Sequence, residues 1–117
     1  MNQIDFNIGG ENRRFNFGLK FLGDVLRHFD TDMGGFGELI DKNPFQTRPA
    51  ILYFAHLASV QRNNKPVTFT LDDVIDWVDE MDQGISNPNV IQAVELVLES
   101  VKRHLPKTTD TDGSKKK

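Results

Sequence analysis

The sequence has no cysteine among its 117 residues, which excludes disulfides and thiolate metal sites and suits a reducing cytoplasm. No apolar run approaches the roughly 18 residues of a membrane span. The first residues lack the basic stretch and apolar core of a secretory signal, so no export is expected. Basic residues are missing from Pro66 to Val101, where Asp72, Asp73, Asp76, Asp79, Glu80, Asp82, Glu95 and Glu99 stand uncompensated. From Lys102 to Lys117 six Lys or Arg face two Asp, a balance of +4, so with a formal total of −3 the rest of the chain carries about −7. Such a body repels nucleic acid and attracts a basic partner.

What is present suits one soluble domain: 38% hydrophobic and 26% charged residues. The opening segment "IDFNIGGENRRFNF" alternates apolar and polar residues around Gly9-Gly10, a pair suited to a two-residue hairpin turn. Folding about that turn pairs Ile8 with Glu11, Phe6 with Arg13 and Ile4 with Phe15. Ile4, Phe6, Ile8, Phe15 and Phe17 then share a face, which is expected to cover the first helix. Arg13 is expected to lay its methylenes along that face and keep its charge in water.

Leu19, Leu22, Leu26 and Phe29 recur at helical spacing, broadened by Phe21 and Val25, which predicts a helix to about Phe29. Gly34-Gly35 reads as a loop, Phe36 to Lys42 as a short helix, and "NPFQTRP" (43–49) as a connection with Pro49 in the first turn of the next helix. That helix, Pro49 to Gln61, is apolar on almost every side and is therefore expected to be central and buried. Thr70 and Asp73 form a capping-box pattern opening a helix to about Gln83, with Leu71, Val74, Ile75, Val78 and Met81 as its apolar stripe. Asn87 and Pro88 open a last helix with Val90, Ile91, Val94, Val97, Leu98 and Val101 on one side. The expected fold is mainly α (α+β): an N-terminal β-hairpin packed on four to five helices in one domain, residues 1–105. Residues 106–117 are expected to form a disordered, basic tail.

Catalytic chemistry requires convergent groups. His28, His56 and His104 lie far apart without metal-ligand spacing, and His56 fits a satisfied polar strip. The acidic residues after Thr70 lack the alternating ligands and glycine of a calcium loop and read as a solvated helix face. "FNIGGEN" lacks phosphate-loop spacing. No enzyme activity, metal or cofactor is expected, and the tail lysines imply at most weak, salt-sensitive nucleic-acid contact.

The order of parts resembles the tail assembly chaperones of long-tailed (siphovirus-like) bacteriophages over residues 2–104. The likeness rests on the hairpin running directly into "GLKFLGDVLRHFD", the apolar "PAILYFAHLAS", and the capped acidic "TFTLDDVIDWVDE" before a final amphipathic helix. The resemblance implies a binding protein of the host cytoplasm, absent from the finished virion. It would hold the tape measure protein, a long helical rod, in solution and help recruit the tail tube protein. The alternatives are a tail or connector subunit retained in the particle and a small host-directed regulator of one protein. Partner contacts are expected on the middle helix (Tyr53, Leu57), on the acidic face (Asp72, Asp76, Asp79) and at Leu96, which helical geometry places beside Glu95, Glu99 and Ser100. Trp77 stands between two readings, core edge and partner anchor. Self-association through the same apolar surface is also expected.

Overall fold

The computed structural model describes residues 2–104; the tail from 106 onward lies outside the described residues. The elements run β1 (Gln3–Ile8), β2 (Glu11–Asn16), α1 (Leu19–Phe29), α2 (Met33–Lys42), α3 (Pro44–Arg62), α4 (Leu71–Glu80), a 3-10 turn (Gly84–Ser86) and α5 (Pro88–His104). The fold is therefore an N-terminal antiparallel hairpin on a bundle of five helices. Among the described residues no helix is long and apolar enough to cross a membrane.

The hairpin has the register its sequence demands: Ile8 opposite Glu11, Phe6 opposite Arg13, Ile4 opposite Phe15. Gly9 and Gly10 sit at φ 62° and 86°, the left-handed pair that matches strand twist in a two-residue turn. Phe6 and Phe15 stack across the strands at 4.5 Å between ring centres. The hairpin's main partner is α3, not α1 as its sequence suggests. Only Phe17 and Gly18 separate β2 from α1, too short a link for the helix to fold back beneath the strands. The all-round apolar α3 takes that position instead.

α3 is the axis of the bundle and meets β2, α1, α2, α4 and α5. Ala50, Ile51, Leu52, Ala55 and Ala58 are buried along it. It begins five residues earlier than its sequence suggests, because Pro44 fills the first helical position and Pro49 falls inside the helix. An interior proline removes one N–H and leaves the carbonyl four residues back without its helical partner. Here that carbonyl belongs to Phe45, in the exposed first turn. Thr47 adds a hydroxyl bond to the Asn43 carbonyl at 3.0 Å. α2 also starts early and takes in Gly34-Gly35: the Asp32 carboxylate accepts the Gly35 N–H at 2.8 Å. A side chain at Gly35 would collide with the Thr31 hydroxyl, so the residue serves close approach rather than a loop.

Thr70 and Asp73 form the expected reciprocal capping box. α4 stops at Glu80, short of Gln83, because Met81 is already extended (φ −71°, ψ 149°); Gln83 and Gly84 then turn left-handed (φ 65° and 52°). On α5 the buried line is Val90, Ala93, Val94, Val97 and Ser100. Leu96 is half-buried against the core, while Ile91 and Leu98 are exposed, a rotation relative to the expected face. Its cause is close approach: Ser100 Oγ donates to the Phe17 carbonyl at 2.6 Å, which a larger side chain would prevent.

Phe15 is 1% exposed and joins strand, partner strand and α3. Phe15→Ala should lower stability by about 3–5 kcal/mol in denaturant melts. A loss under about 1 kcal/mol would mean that the hairpin is only loosely docked.

Candidate partner-binding surface

The residues expected to meet a partner fall into two groups. Tyr53 is half-buried, edge-on to Phe54 and Phe69 at 4.9 and 5.7 Å. Leu57 is also half-buried, beside Phe54 in a shallow dip bordered by Lys20, Asp24 and His28. Leu96 packs against the core. These three contribute to the fold and present only edges. Asp72, Asp76 and Asp79 are exposed and, spaced four and three residues apart, share the outer face of α4.

Trp77 sits at the core edge and holds the hairpin. Its ring lies so close to Gly9 that a Cβ there would stand 2.6 Å from two ring carbons. The Arg13 guanidinium lies 4.0 Å from the ring centre. Arg13 also donates to the carbonyls of Ile8 (2.9 Å) and Gly9 (3.3 Å). Its charge is thus engaged by an indole face and two backbone oxygens instead of bulk water, and the hairpin turn is clamped to α4.

His56, on α3, completes this clamp. Its Nδ1 lies 2.8 Å from the Arg14 carbonyl, which fixes the proton there, and Nε2 is 3.4 Å from Arg13 Nη1. The ring stacks on Phe69 at 4.7 Å and lies 5.4 Å from Phe15. Burial is the main cause that pushes its pKa below the ordinary value. The Arg13 charge acts the same way, against the Arg14 carbonyl and Glu11. The imidazole is therefore held neutral as a structural joint between hairpin and helix.

The side chains without intramolecular cover lie elsewhere. Phe45, in the first turn of α3, is 78% exposed, and Ile75 on α4 is 43% exposed instead of lying in the core. With Pro49, Val78, Asp79 and Ile85 they line a groove of about 580 Å³. Arg48 Nη1 donates to the Ile85 carbonyl at 2.7 Å and fastens the 3-10 turn to α3. A second groove, about 530 Å³, lies at the other end of α3 and includes Leu19, Ala58, Lys20, Arg62 and Arg103. Leu19, expected in the α1 stripe, is 65% exposed there. From Phe45 to Arg62 the helix rises about 25 Å; the groove at one end has Asp79 as its one charged lining residue, and the groove at the other has Lys20, Arg62 and Arg103.

Phe45 was hidden to sequence reasoning by the two prolines around it, which made its segment resemble a connection. Ile75 was hidden by its fit to the α4 stripe. The signal for Ile75 was excess: α4 has more apolar residues than its buried line, Val74 and Val78, requires.

The His56 joint has a pH signature. The unfolded chain takes up its proton near the ordinary value of 6.5, the folded chain only at lower pH. Between the two the unfolded state holds more protons, so stability falls as pH falls. The denaturant midpoint should be level above about pH 6.5 and decline below it, ahead of carboxylate titration. His56→Gln should remove that slope. An unchanged slope in the variant would place the titration on other groups.

Comparison with protein-family models, curated proteins and solved structures finds no match.

Proposed function

We propose that this protein is a tail assembly chaperone of a long-tailed phage. It binds the tape measure protein in the host cytoplasm, keeps it soluble, helps recruit tail tube protein and is left out of the finished particle. It works by binding alone, with no catalytic step and no cofactor. The order of elements supports this reading, and one observation carries it. Large apolar side chains without cover, Phe45 and Ile75 above all, line one groove, and Ile75 belongs to the stretch from Pro66 to Val101 that carries eight carboxylates and no Lys or Arg. Scattered exposed apolar residues are ordinary. A cluster beside uncompensated carboxylates combines adhesion to apolar client segments with the charge that keeps the binder dispersed.

Co-expression with the tape measure protein should move that protein from the insoluble to the soluble fraction, in a complex weakened by added salt. Mass spectrometry of purified virions should find the chaperone missing. Its stoichiometric presence in virions would instead make it a tail subunit, and no effect on solubility would leave a regulator of another protein.

Self-association belongs to the same proposal, at a different place from Tyr53 and Leu96. Ile91 and Leu98 on α5, 36% and 41% exposed, lie seven residues apart with Val94 between them, a narrow apolar seam for a second copy. Light scattering should show mass rising with concentration, and Leu98→Glu should suppress the rise. A strict monomer at high concentration would refute the seam.

A further inference from the structure

We infer that the groove between the N-terminal end of α3, α4 and the 3-10 turn seats one kind of ligand: an amphipathic helix whose apolar ridge is bordered by lysine or arginine. This rests on the chaperone reading and gives it a site and a client chemistry.

The first argument is shape. Phe45 stands as one lip and Ile75 as the other, over a floor containing Pro49 and the buried Val78, with Ile85 at the end. The backbone segments that carry the groove are fixed before any ligand arrives. The Arg48 bond to the Ile85 carbonyl ties the 3-10 turn to α3, and the Thr70–Asp73 capping box sets the start of α4. A preformed groove loses little freedom on binding.

The second argument concerns backbone. Two walls are helices, whose N–H and C=O groups are paired within themselves except in the first turn of α3, so the groove offers no strand edge. An extended peptide would bury its own backbone groups without partners. A helix brings none unpaired and needs only side-chain contacts, with anchors at i, i+3 or i+4, and i+7.

Charge is the third. Asp79 lines the groove, and Asp76, Glu80 and Asp82 are exposed on α4 and just beyond it, while the cation beside the groove, Arg48, is half-buried and engaged by the Ile85 carbonyl. Among the described residues none of these carboxylates is in an ion pair; the pairs present involve Glu11, Asp5 and Asp24. A ligand flanked by cations would fill that vacancy and be steered to it, whereas an acidic helix of the same apolar pattern would be repelled.

The test uses the full chain and three labelled peptides sharing one leucine ridge: one flanked by lysine, one by glutamate, and a lysine-flanked peptide with a central proline. Fluorescence anisotropy reads binding and circular dichroism reads peptide helicity. The lysine peptide should bind and gain helix, more weakly in about 0.5 M than in about 0.05 M salt. The other two should bind at least about tenfold more weakly. Phe45→Ser, Ile75→Ser and Asp79→Lys should each weaken the lysine peptide by a similar factor, and Leu19→Ser, at the other end of α3, should not. Equal binding of the glutamate or proline peptide, or indifference to the groove substitutions, overturns the inference. So does concentration-dependent self-association that Phe45→Ser and Ile75→Ser abolish, since the occupant would then be a second copy. Tape measure solubilisation separates the two proposals. If Phe45→Ser/Ile75→Ser chains still solubilise that protein, the groove assignment fails while the chaperone role stands. If wild type binds the lysine peptide through the groove yet leaves the tape measure protein insoluble, the chaperone reading fails and the groove stands.

Discussion

A helix that is apolar on every side must be surrounded, and in this molecule α3 imposes that requirement on everything else. Each fully buried Ile or Leu along it contributes about 1.5–3 kcal/mol when enclosed, so leaving one flank open would cost a large fraction of a small domain's net stability. The hairpin, α1, α2, α4 and α5 each supply one flank. None needs more than one apolar face, which is why the surrounding elements can be short and strongly amphipathic. The polar residues buried on α3 obey the same demand: His56 finds the Arg14 carbonyl and Thr47 the Asn43 carbonyl.

Enclosure works along the length of a cylinder and weakens at its ends. The N-terminal turn of α3 protrudes with Phe45, and the C-terminal turn opens toward Leu19. The charges near these ends differ in sign, acidic beside Phe45 and basic beside Leu19. The molecule is thus electrically polar along the axis of its own core, and a charged partner would approach one end in preference to the other. The proposed client site lies at the acidic end, where Phe45 and Ile75 are left uncovered.

Much of the fold was legible because period and punctuation agreed. The hairpin register follows from alternation about Gly9-Gly10, and α4 opens where Thr70 and Asp73 require. The centrality of α3 follows from the absence of a polar face. What was hidden depended on pairings between distant segments. Pro49 reads locally as a helix start, and only the packing of Thr47 and Pro49 shows that the helix began at Pro44. The face that α5 buries was set by Ser100 meeting Phe17, so Leu96 turned partly inward and Ile91 and Leu98 outward. Trp77 could be placed at the core edge from its helix, but not its clamp on Gly9 and Arg13. The acidic half of the candidate site was visible as composition. Its apolar half was not, because Phe45 and Ile75 each had a more ordinary local explanation.

The bond from Ser100 to the Phe17 carbonyl spans 83 positions of sequence. It joins the first supersecondary unit to the last helix, so the core cannot close until nearly the whole domain has been synthesised. During translation the hairpin and α1 emerge first, and the apolar α3 follows without the flank that α5 will provide. A nascent chain halted before α5 would present that helix to the surrounding cell. Loop closure over such a separation is slow relative to local helix formation. The protein proposed to shield another's apolar helices thus passes, at each synthesis, through an interval in which its own central helix is unshielded.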